Sequence, residues 1–246
     1  MQSSLNFFSR HAKEYSNSES HIHGKDLDLL MSMLNPDKNV KALDIGTGPG
    51  PVAFRMADQV ALSVGLDITE HMLDIAAKKG SDINNIIFVN GDATDLPFPA
   101  ESFDMVTCRR VAHHIKNKEK LVEEAWRVLK KGGKFGLTDL LKPLGDKLDI
   151  FNKLEKVRDS SYLGSESLDY WLKTIKSNAF NVEDFKTFDI NETFDSWLSP
   201  VRRNSQSGRK ARDLIKKNIN YFKEVFEYNA ELDSFNKTRF IIIANK

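Results

Sequence analysis

A cluster of glycines follows the first apolar run of the chain, in the segment Asp44-Ile45-Gly46-Thr47-Gly48-Pro49-Gly50-Pro51. Glycine adopts backbone angles that other residues avoid, and it lets a ligand approach the bare backbone. A helical pattern begins directly afterwards, and the N–H groups that open a helix can bind an anionic group. A nicotinamide dinucleotide fingerprint would have its third glycine at position 51, which is proline here. On its own the pattern is also that of a simple tight turn.

Two aspartates follow the next two apolar runs. Asp67 ends the second run, 21 positions after Gly46, where a carboxylate can accept hydrogen bonds from both hydroxyls of a ribose. In Gly91-Asp92-Ala93, after the third run, Asp92 can accept from an adenine amino group while the Ala93 N–H faces the ring. Either acid alone could be a surface-loop or helix-cap residue. Three such features at the carboxyl ends of successive strands predict an adenosine-containing ligand, because open α/β sheets bind ligands at that edge.

Two histidines lie just past the fourth apolar run, His113 and His114. Histidine has a pKa suited to accepting a proton near neutral pH, so either residue is a candidate general base. The alternatives are a structural hydrogen bond or a role in orienting the substrate. Asp139, which ends the fifth run, is a further candidate base, or it caps or lines the pocket.

The elements that position these residues alternate between strand and helix patterns from residue 39 to residue 142, which predicts βαβ units around a parallel sheet. The predicted strands are Val40–Ile45, Ser63–Asp67, Ile86–Asn90, Phe103–Cys108 and Lys134–Asp139. The predicted helices between them are Pro51–Ala57, Glu70–Lys79 and Lys118–Leu129. Asn117 can cap the last of these, and Gly132 and Gly133 are expected to end it.

After Lys142 the alternation stops, and most of the following region is predicted to be a cap inserted between late strands of one sheet. The pattern predicts a helix-rich stretch over 146–179, a strand over 182–190, helix over 211–228 and a final strand over 240–244. Aromatic residues of this region could line a pocket for an apolar acceptor, or they could form the core of the cap. They are Phe151, Tyr162, Tyr170, Trp171, Phe194 and Trp197.

Length and composition limit the number of domains, the kinds of partner and the location of the protein. A chain of 246 residues with formal net charge +1 fits one large α/β domain, and it has no overall field that would attract a polyanion. Cys108 is the only cysteine, which excludes an internal disulfide. No apolar run approaches the roughly 20 residues needed to span a bilayer, and no signal segment opens the chain, so a cytoplasmic location is expected. His21 and His23 alternate, but no nearby carboxylate or cysteine set completes a metal site.

The chain resembles the class I S-adenosylmethionine-dependent methyltransferases, and within them the branch that includes the ubiquinone/menaquinone C-methyltransferases. The resemblance extends over residues 12–143 and rests on segments 12–15, 23–27, 44–50, 91–93, 96–98, 102–104 and 124–133. Residues 109–114 resemble the segment after the fourth strand in one subgroup, and residues 158–171 and 195–197 resemble the cap of that subgroup.

The resemblance implies a Rossmann-like α/β fold: a mixed sheet of seven strands in the order 3-2-1-4-5-7-6, the last strand antiparallel, with a helical cap after strand 5. It implies S-adenosylmethionine as cofactor and S-adenosylhomocysteine as product. The expected parts of a single domain are an N-terminal segment (1–38), the cofactor-binding core (39–142), the cap with strand 6 (143–235) and the final strand (236–246). The candidate cofactor residues are Tyr15, His23, Asp44, Gly46, Thr47, Gly48, Asp67, Ile68, Met72, Asp92, Ala93 and Arg109.

The chemistry needs no nucleophilic residue, because the methyl group of a sulfonium is already a strong electrophile. The expected reaction is direct displacement by an oxygen, nitrogen or carbon atom of a small molecule, catalysed by a monomer or homodimer. Three alternatives remain: a quinone-type acceptor, a nucleic acid and a noncatalytic cofactor-binding module. A local basic cluster suggests the nucleic acid, although a solvated helix face explains it as well. This cluster comprises Arg202, Arg203, Arg209, Lys210, Arg212, Lys216 and Lys217.

Overall fold

Seven strands form one mixed sheet in the computed structural model, which describes residues 7–9, 12, 16, 22–199 and 201–246. The strands are β1 (Lys41–Ile45), β2 (Leu62–Asp67), β3 (Ile86–Asn90), β4 (Phe103–Arg109), β5 (Leu129–Leu140), β6 (Asn181–Thr193) and β7 (Ser234–Asn245). Their order is β3-β2-β1-β4-β5-β7-β6, and β7 runs antiparallel to both of its neighbours. The strand order expected from the sequence is confirmed.

Nine helices of at least five residues occur in the described part of the chain. They are α1 (Lys25–Leu34), α2 (Pro51–Ala57), α3 (Glu70–Lys79), α4 (Lys118–Val128), α5 (Ile150–Arg158), α6 (Leu168–Ser177), α7 (Phe194–Leu198), α8 (Gln206–Lys217) and α9 (Ile219–Phe226). The N–H of Lys120 donates to the Asn117 side chain, so the predicted cap of α4 is present. None of the described helices is both long and apolar enough to cross a bilayer.

The central strands are continuous apolar runs because helices cover both faces of the sheet. Four of the five residues of β1 are buried, and in β4 only Asp104 is partly exposed. Cys108 of β4 is fully buried, and burial raises the pKa of its thiol well above the usual value. This cysteine is therefore an inert core residue, as the apolar run around it suggests.

Strands β5, β6 and β7 are longer than predicted, and two predicted helix boundaries are wrong. Helix α4 ends at Val128, and the chain enters β5 at Leu129, so Gly132 and Gly133 lie within the strand rather than ending the helix. Gly132 has a φ of +76°, which only glycine adopts readily, and it allows an irregular start to β5. The predicted helix over 211–228 is two helices, α8 and α9, which are separated at Asn218.

The segments after β5 divide between the cap and the sheet. Helices α5, α7, α8 and α9 share a separate apolar cluster, which contains Phe151 and Phe194. Helix α6 instead packs on the sheet, with Trp171 and Ile175 in the main core. Four helices therefore form the cap. Helix α6 instead covers the sheet, as the helix of a βαβ unit does. The division of the chain into the four parts named above stays a prediction.

Candidate active site

A cavity of about 700 Å³ opens at the carboxyl ends of the parallel strands. One part of it, the cofactor half, is lined by the segments that follow β1, β2 and β3. The other part, the cap half, is lined by residues of the cap and of β6 and β7, including Arg158, Glu192, Trp197, Lys237 and Arg239. Strand β4 separates β1–β3 from β5–β7 in the sheet, so the segment after β4 lies between the two halves.

The glycine turn after β1 forms one wall of the cofactor half. Gly46, Gly48 and Gly50 have φ values of +70°, +53° and +95°. A side-chain carbon at Gly46 would collide with Val111, whereas a carbon at Gly48 would meet nothing within 4 Å. Gly46 is therefore needed for packing, and Gly48 presents bare backbone to the open cavity.

Asp67 links the turn to the end of β2. Its Oδ2 accepts a hydrogen bond from the Gly48 N–H at 2.8 Å, and its Oδ1 accepts one from the Thr69 N–H at 2.8 Å. Burial raises the pKa of this carboxyl above its usual value. Each carboxylate oxygen has two lone pairs, so both can still accept a hydroxyl donor from the cavity.

Asp92 lines the same cavity from the loop after β3. Its Oδ1 accepts hydrogen bonds from the Thr94 N–H at 2.8 Å and from the Thr94 hydroxyl at 2.9 Å. These bonds fix the carboxylate, while Oδ2 has no bond with any residue of the described chain. Gly48, Asp67, Asp92 and Ala93 thus share one cleft, as the adenosine prediction requires.

The segment after β4 is held by a buried carboxylate from α1. Asp26 accepts hydrogen bonds from Arg109 at 2.8 and 3.0 Å and from Arg110 at 2.8 and 2.7 Å. Burial acts to raise the pKa of Asp26, but the charges of Arg110 and Arg109 outweigh it and lower that pKa strongly. Arg110 has a φ of +59°, and this pairing fixes its unusual backbone.

His113 forms a buried pair with Asp139 at the end of β5. Its Nδ1 lies 2.6 Å from Asp139 Oδ1, and its backbone N–H donates to Oδ2 at 3.1 Å. The Leu140 N–H donates to Oδ1 at 2.7 Å. Burial acts to raise the pKa of Asp139, but the interaction with the His113 imidazole outweighs it and lowers that pKa. A carboxylate at Nδ1 requires a proton there, which leaves Nε2 as the acceptor of the neutral ring.

His114 has a different environment. Its Nδ1 lies 3.1 Å from the Ser161 hydroxyl, which in turn donates to Asp159 at 2.5 Å. Burial lowers the pKa of His114 well below its usual value, and neighbouring positive charge adds to the effect. The ring therefore stays neutral, and its contacts with the cap are those of a positioning residue.

The predicted cofactor residues fall into three groups. Those that line the cavity are Gly46, Thr47, Gly48, Asp67, Ile68, Met72, Asp92, Ala93 and Arg109. His23 is exposed, and neither it nor Asp44 is among the cavity-lining residues. Tyr15 lies outside the described residues. Of the cap aromatics named from the sequence, Trp197 lines the cavity.

Asp44 lies behind the turn, in the sheet. Its side chain accepts a hydrogen bond from the Thr107 hydroxyl at 2.8 Å, and its second oxygen is buried without a partner. Burial raises the pKa of Asp44 to about 7. Asp44 is thus a buried residue of β1 outside the cavity lining, and the direct cofactor contact implied for it stays a prediction.

Several residues of the site were not expected from the sequence, namely Asp26, Arg110, Arg158, Glu192, Lys237 and Arg239. One signal was present, because Lys237 and Arg239 alternate directly before the apolar run of β7. Charged residues that alternate into a buried strand indicate a functional or paired site. Among the described residues, no three His, Cys, Asp or Glu side chains are placed to hold a metal ion.

Comparison with known proteins identifies the family to which the chain is similar. Residues 43–137 match the family described as a methyltransferase domain. The chain is 34% identical over 206 residues to the uncharacterised methyltransferase YcgJ of Bacillus subtilis, and the match covers 81% of each chain. It is 31% identical over 182 residues to the ubiquinone/menaquinone biosynthesis C-methyltransferase UbiE of Rhizobium rhizogenes, covering 68% of this chain and 69% of that protein. The crystal structure of the Bacillus halodurans protein BH2331 has a TM-score of 0.85 at 34% identity, covering 91% of this chain and 99% of that one.

Proposed function

The chain belongs to the class I S-adenosylmethionine-dependent methyltransferases, and from this premise we propose that it methylates a small molecule bound in the cap half of the cavity. S-adenosylmethionine supplies, when bound, a methyl group on a positively charged sulfur, and S-adenosylhomocysteine is the product of its transfer. The rest of the reaction depends on how the chain holds the two reactants and where it takes up a proton.

The cofactor half fits an adenosyl ligand. Gly48 leaves open space where any other residue would place a side chain. Asp67 has free lone pairs for the ribose hydroxyls, and Asp92 has a free oxygen for the adenine amino group. We assign the same half to Gly46, Thr47, Ile68, Met72, Ala93 and Arg109, which line it as well.

The observation that carries the catalytic proposal is the pairing of His113, which lines this cavity, with the buried carboxylate of Asp139. Asp139 fixes the ring with its Nδ1 protonated, so Nε2 is the atom that accepts a proton from the acceptor as the acceptor attacks the methyl group. The buried carboxylate then stabilises the imidazolium that forms. His114 holds the neighbouring cap through Ser161 and acts as a positioning residue.

The walls of the cap half favour a small molecule. The whole cavity has a volume of about 700 Å³ and must hold the cofactor as well, so the cap half leaves room for a small acceptor only. Apolar side chains such as Leu140, Leu163 and Trp197 line it and exclude water from the transfer. Two residues of the basic cluster are already paired, since Arg203 and Arg212 both bind Asp233 at 2.9 and 2.5 Å. We therefore favour a small molecule over a nucleic acid as the methyl acceptor.

The similarity to UbiE raises a quinone-type ring carbon as the second candidate acceptor. A phenolic or enolic carbon acceptor also loses a proton, so the base assigned to His113 serves carbon and oxygen acceptors alike. Monomer and homodimer both remain predictions.

Isotope-labelled S-adenosylmethionine tests the proposal. The protein is incubated with the labelled cofactor and a cell extract that has been separated into metabolites, lipids and nucleic acids. We expect enzyme-dependent label in the metabolite or lipid fraction, and we expect the His113→Gln variant to lose at least about a hundredfold in rate while binding S-adenosylhomocysteine as the wild type does. Label confined to RNA or DNA would contradict the proposal. Tight cofactor binding without transfer to any fraction would instead indicate a noncatalytic module.

A further inference from the structure

Arg239 is a buried cation without a partner. Its side chain lines the cap half, and the residue is only 6% exposed. The guanidinium makes no hydrogen bond or ion pair with any residue that the structure describes, and its Nε and Nη1 are both buried. A guanidinium carries five N–H donors, and burying it unpaired is among the most costly arrangements in a protein.

Three other cations that line the cavity each bind a carboxylate of the chain. Arg110 binds Asp26 at 2.7 Å, and Lys237 binds Glu192 at 2.5 Å. Arg158 binds Glu155 at 2.7 Å. Glu192 and Glu155 neutralise Lys237 and Arg158 without a ligand, whereas the single charge of Asp26 is shared with Arg109.

The carboxylates that influence Arg239 are already engaged. Its pKa is lowered to about 10, first by burial and then by the charge of Arg110, against the opposing charges of Asp26, Asp139 and Glu192. Asp26 is shared by two arginines, and Asp139 holds His113. The anion that would pair with Arg239 must therefore come from a ligand.

The position of Arg239 separates this anion from the cofactor. Arg239 lies on β7 opposite Leu140 of β5, one residue beyond Asp139. In the sheet, β7 is three strands away from β1, which corresponds to about 14 Å at the usual strand spacing. The anion site is thus beside the assigned base and away from the glycine turn.

We propose that Arg239 binds a carboxylate of the methyl acceptor, so that the substrate is an organic acid with an apolar body. This inference rests on the proposed function. A guanidinium attracts a carboxylate and donates charge-assisted hydrogen bonds to it, and Leu140, Leu163 and Trp197 contact the apolar body. Arg239 then orients the acceptor atom toward both His113 and the cofactor half.

Calorimetry on protein loaded with S-adenosylhomocysteine tests the inference, with benzoate as the probe and benzamide as its uncharged analogue. We expect the wild type to bind benzoate at least about tenfold more tightly than benzamide, and Arg239→Met to lose that preference. Arg239→Lys should keep part of it, because the charge remains. The matched control is Arg55→Gln, at an exposed arginine that pairs with Asp28 on the surface.

A second measurement distinguishes binding from a structural role. Arg239→Met removes an unpaired buried charge, so without added anion it should melt about 2 to 4 °C higher than the wild type. A structural arginine would give the opposite sign. The inference is overturned if benzoate fails to bind, if it binds no better than benzamide, or if Arg239→Met binds benzoate as the wild type does. A tenfold loss of S-adenosylhomocysteine affinity in Arg239→Met would also overturn it, because the residue would then serve the cofactor. Failure of the wild type to bind S-adenosylhomocysteine would instead refute the proposed function.

Discussion

Replacing Asp67 by alanine tests the cofactor half without knowledge of the acceptor. Both carboxylate oxygens already accept a backbone N–H, from Gly48 and Thr69, and each keeps one lone pair for a ribose hydroxyl. A hydrogen bond to a charged group contributes about 1.5 to 3 kcal/mol, so the loss of two such bonds should cost at least about 3 kcal/mol. That corresponds to a Kd for S-adenosylhomocysteine that is raised by roughly two orders of magnitude.

Isothermal titration of S-adenosylhomocysteine into the wild type and Asp67→Ala gives the two affinities. Asp74→Ala is the matched control, since Asp74 is exposed on α3 and does not line the cavity. Asp67→Asn should give an intermediate Kd, because an amide has one acceptor oxygen where the carboxylate has two. Burial raises the pKa of Asp67, so the wild-type affinity should fall with decreasing pH sooner than an ordinary carboxyl would cause. A folded Asp67→Ala that binds within threefold of the wild type would refute the assignment.

Three further results are expected. Asp139→Asn should lower the rate of methyl transfer by about a hundredfold or more while leaving the Kd of S-adenosylhomocysteine unchanged, because it removes the carboxylate that fixes His113; a normal rate would contradict the pairing. The Gly46→Ala variant should fail to fold or should melt at a much lower temperature, because the new side chain has no space. The Gly48→Ala variant should fold with a small loss of stability and should bind S-adenosylhomocysteine more weakly. For Asp44, burial raises the pKa from 3.8 to about 7. The raised pKa contributes stability that is fully present below pH 3.8 and is lost as the pH rises through 7, by about 4 kcal/mol in all. Urea unfolding at several pH values should therefore show that the difference in stability between the wild type and Asp44→Asn changes across this range; a constant difference would contradict it.

Much of the fold is encoded locally and could be predicted. The alternation of apolar runs with amphipathic helices sets the first five strands, and glycines mark the ends of β1 and β3. The boundaries that failed depend on tertiary contacts instead. Nothing in residues 211–228 marks a break at Asn218, and the assignment of α6 to the sheet depends on the burial of Trp171 in the main core.

The cofactor half could be predicted because its residues follow successive strands and so meet at one edge. The charge pairs beside it could not be predicted, since the two members of each pair come from separate segments of the chain. Asp26 and Arg110 are 84 positions apart, and Asp139 is 26 positions from His113. Charge pairs at such separations leave no periodic pattern in the sequence. A resemblance to a family reveals such a pair only where the family's motifs include both of its residues.

The contact of Asp26 with two arginines has a consequence for protein engineering. Helix α1 supplies a carboxylate that both Arg109 and Arg110 bind, so trimming the chain past residue 26 would remove this shared partner of two buried arginines. Recombination with a homologue should meet the same restriction. A crossover between residues 34 and 103 would combine the acid of one parent with the arginines of the other, and hybrids should survive when both segments come from a single parent.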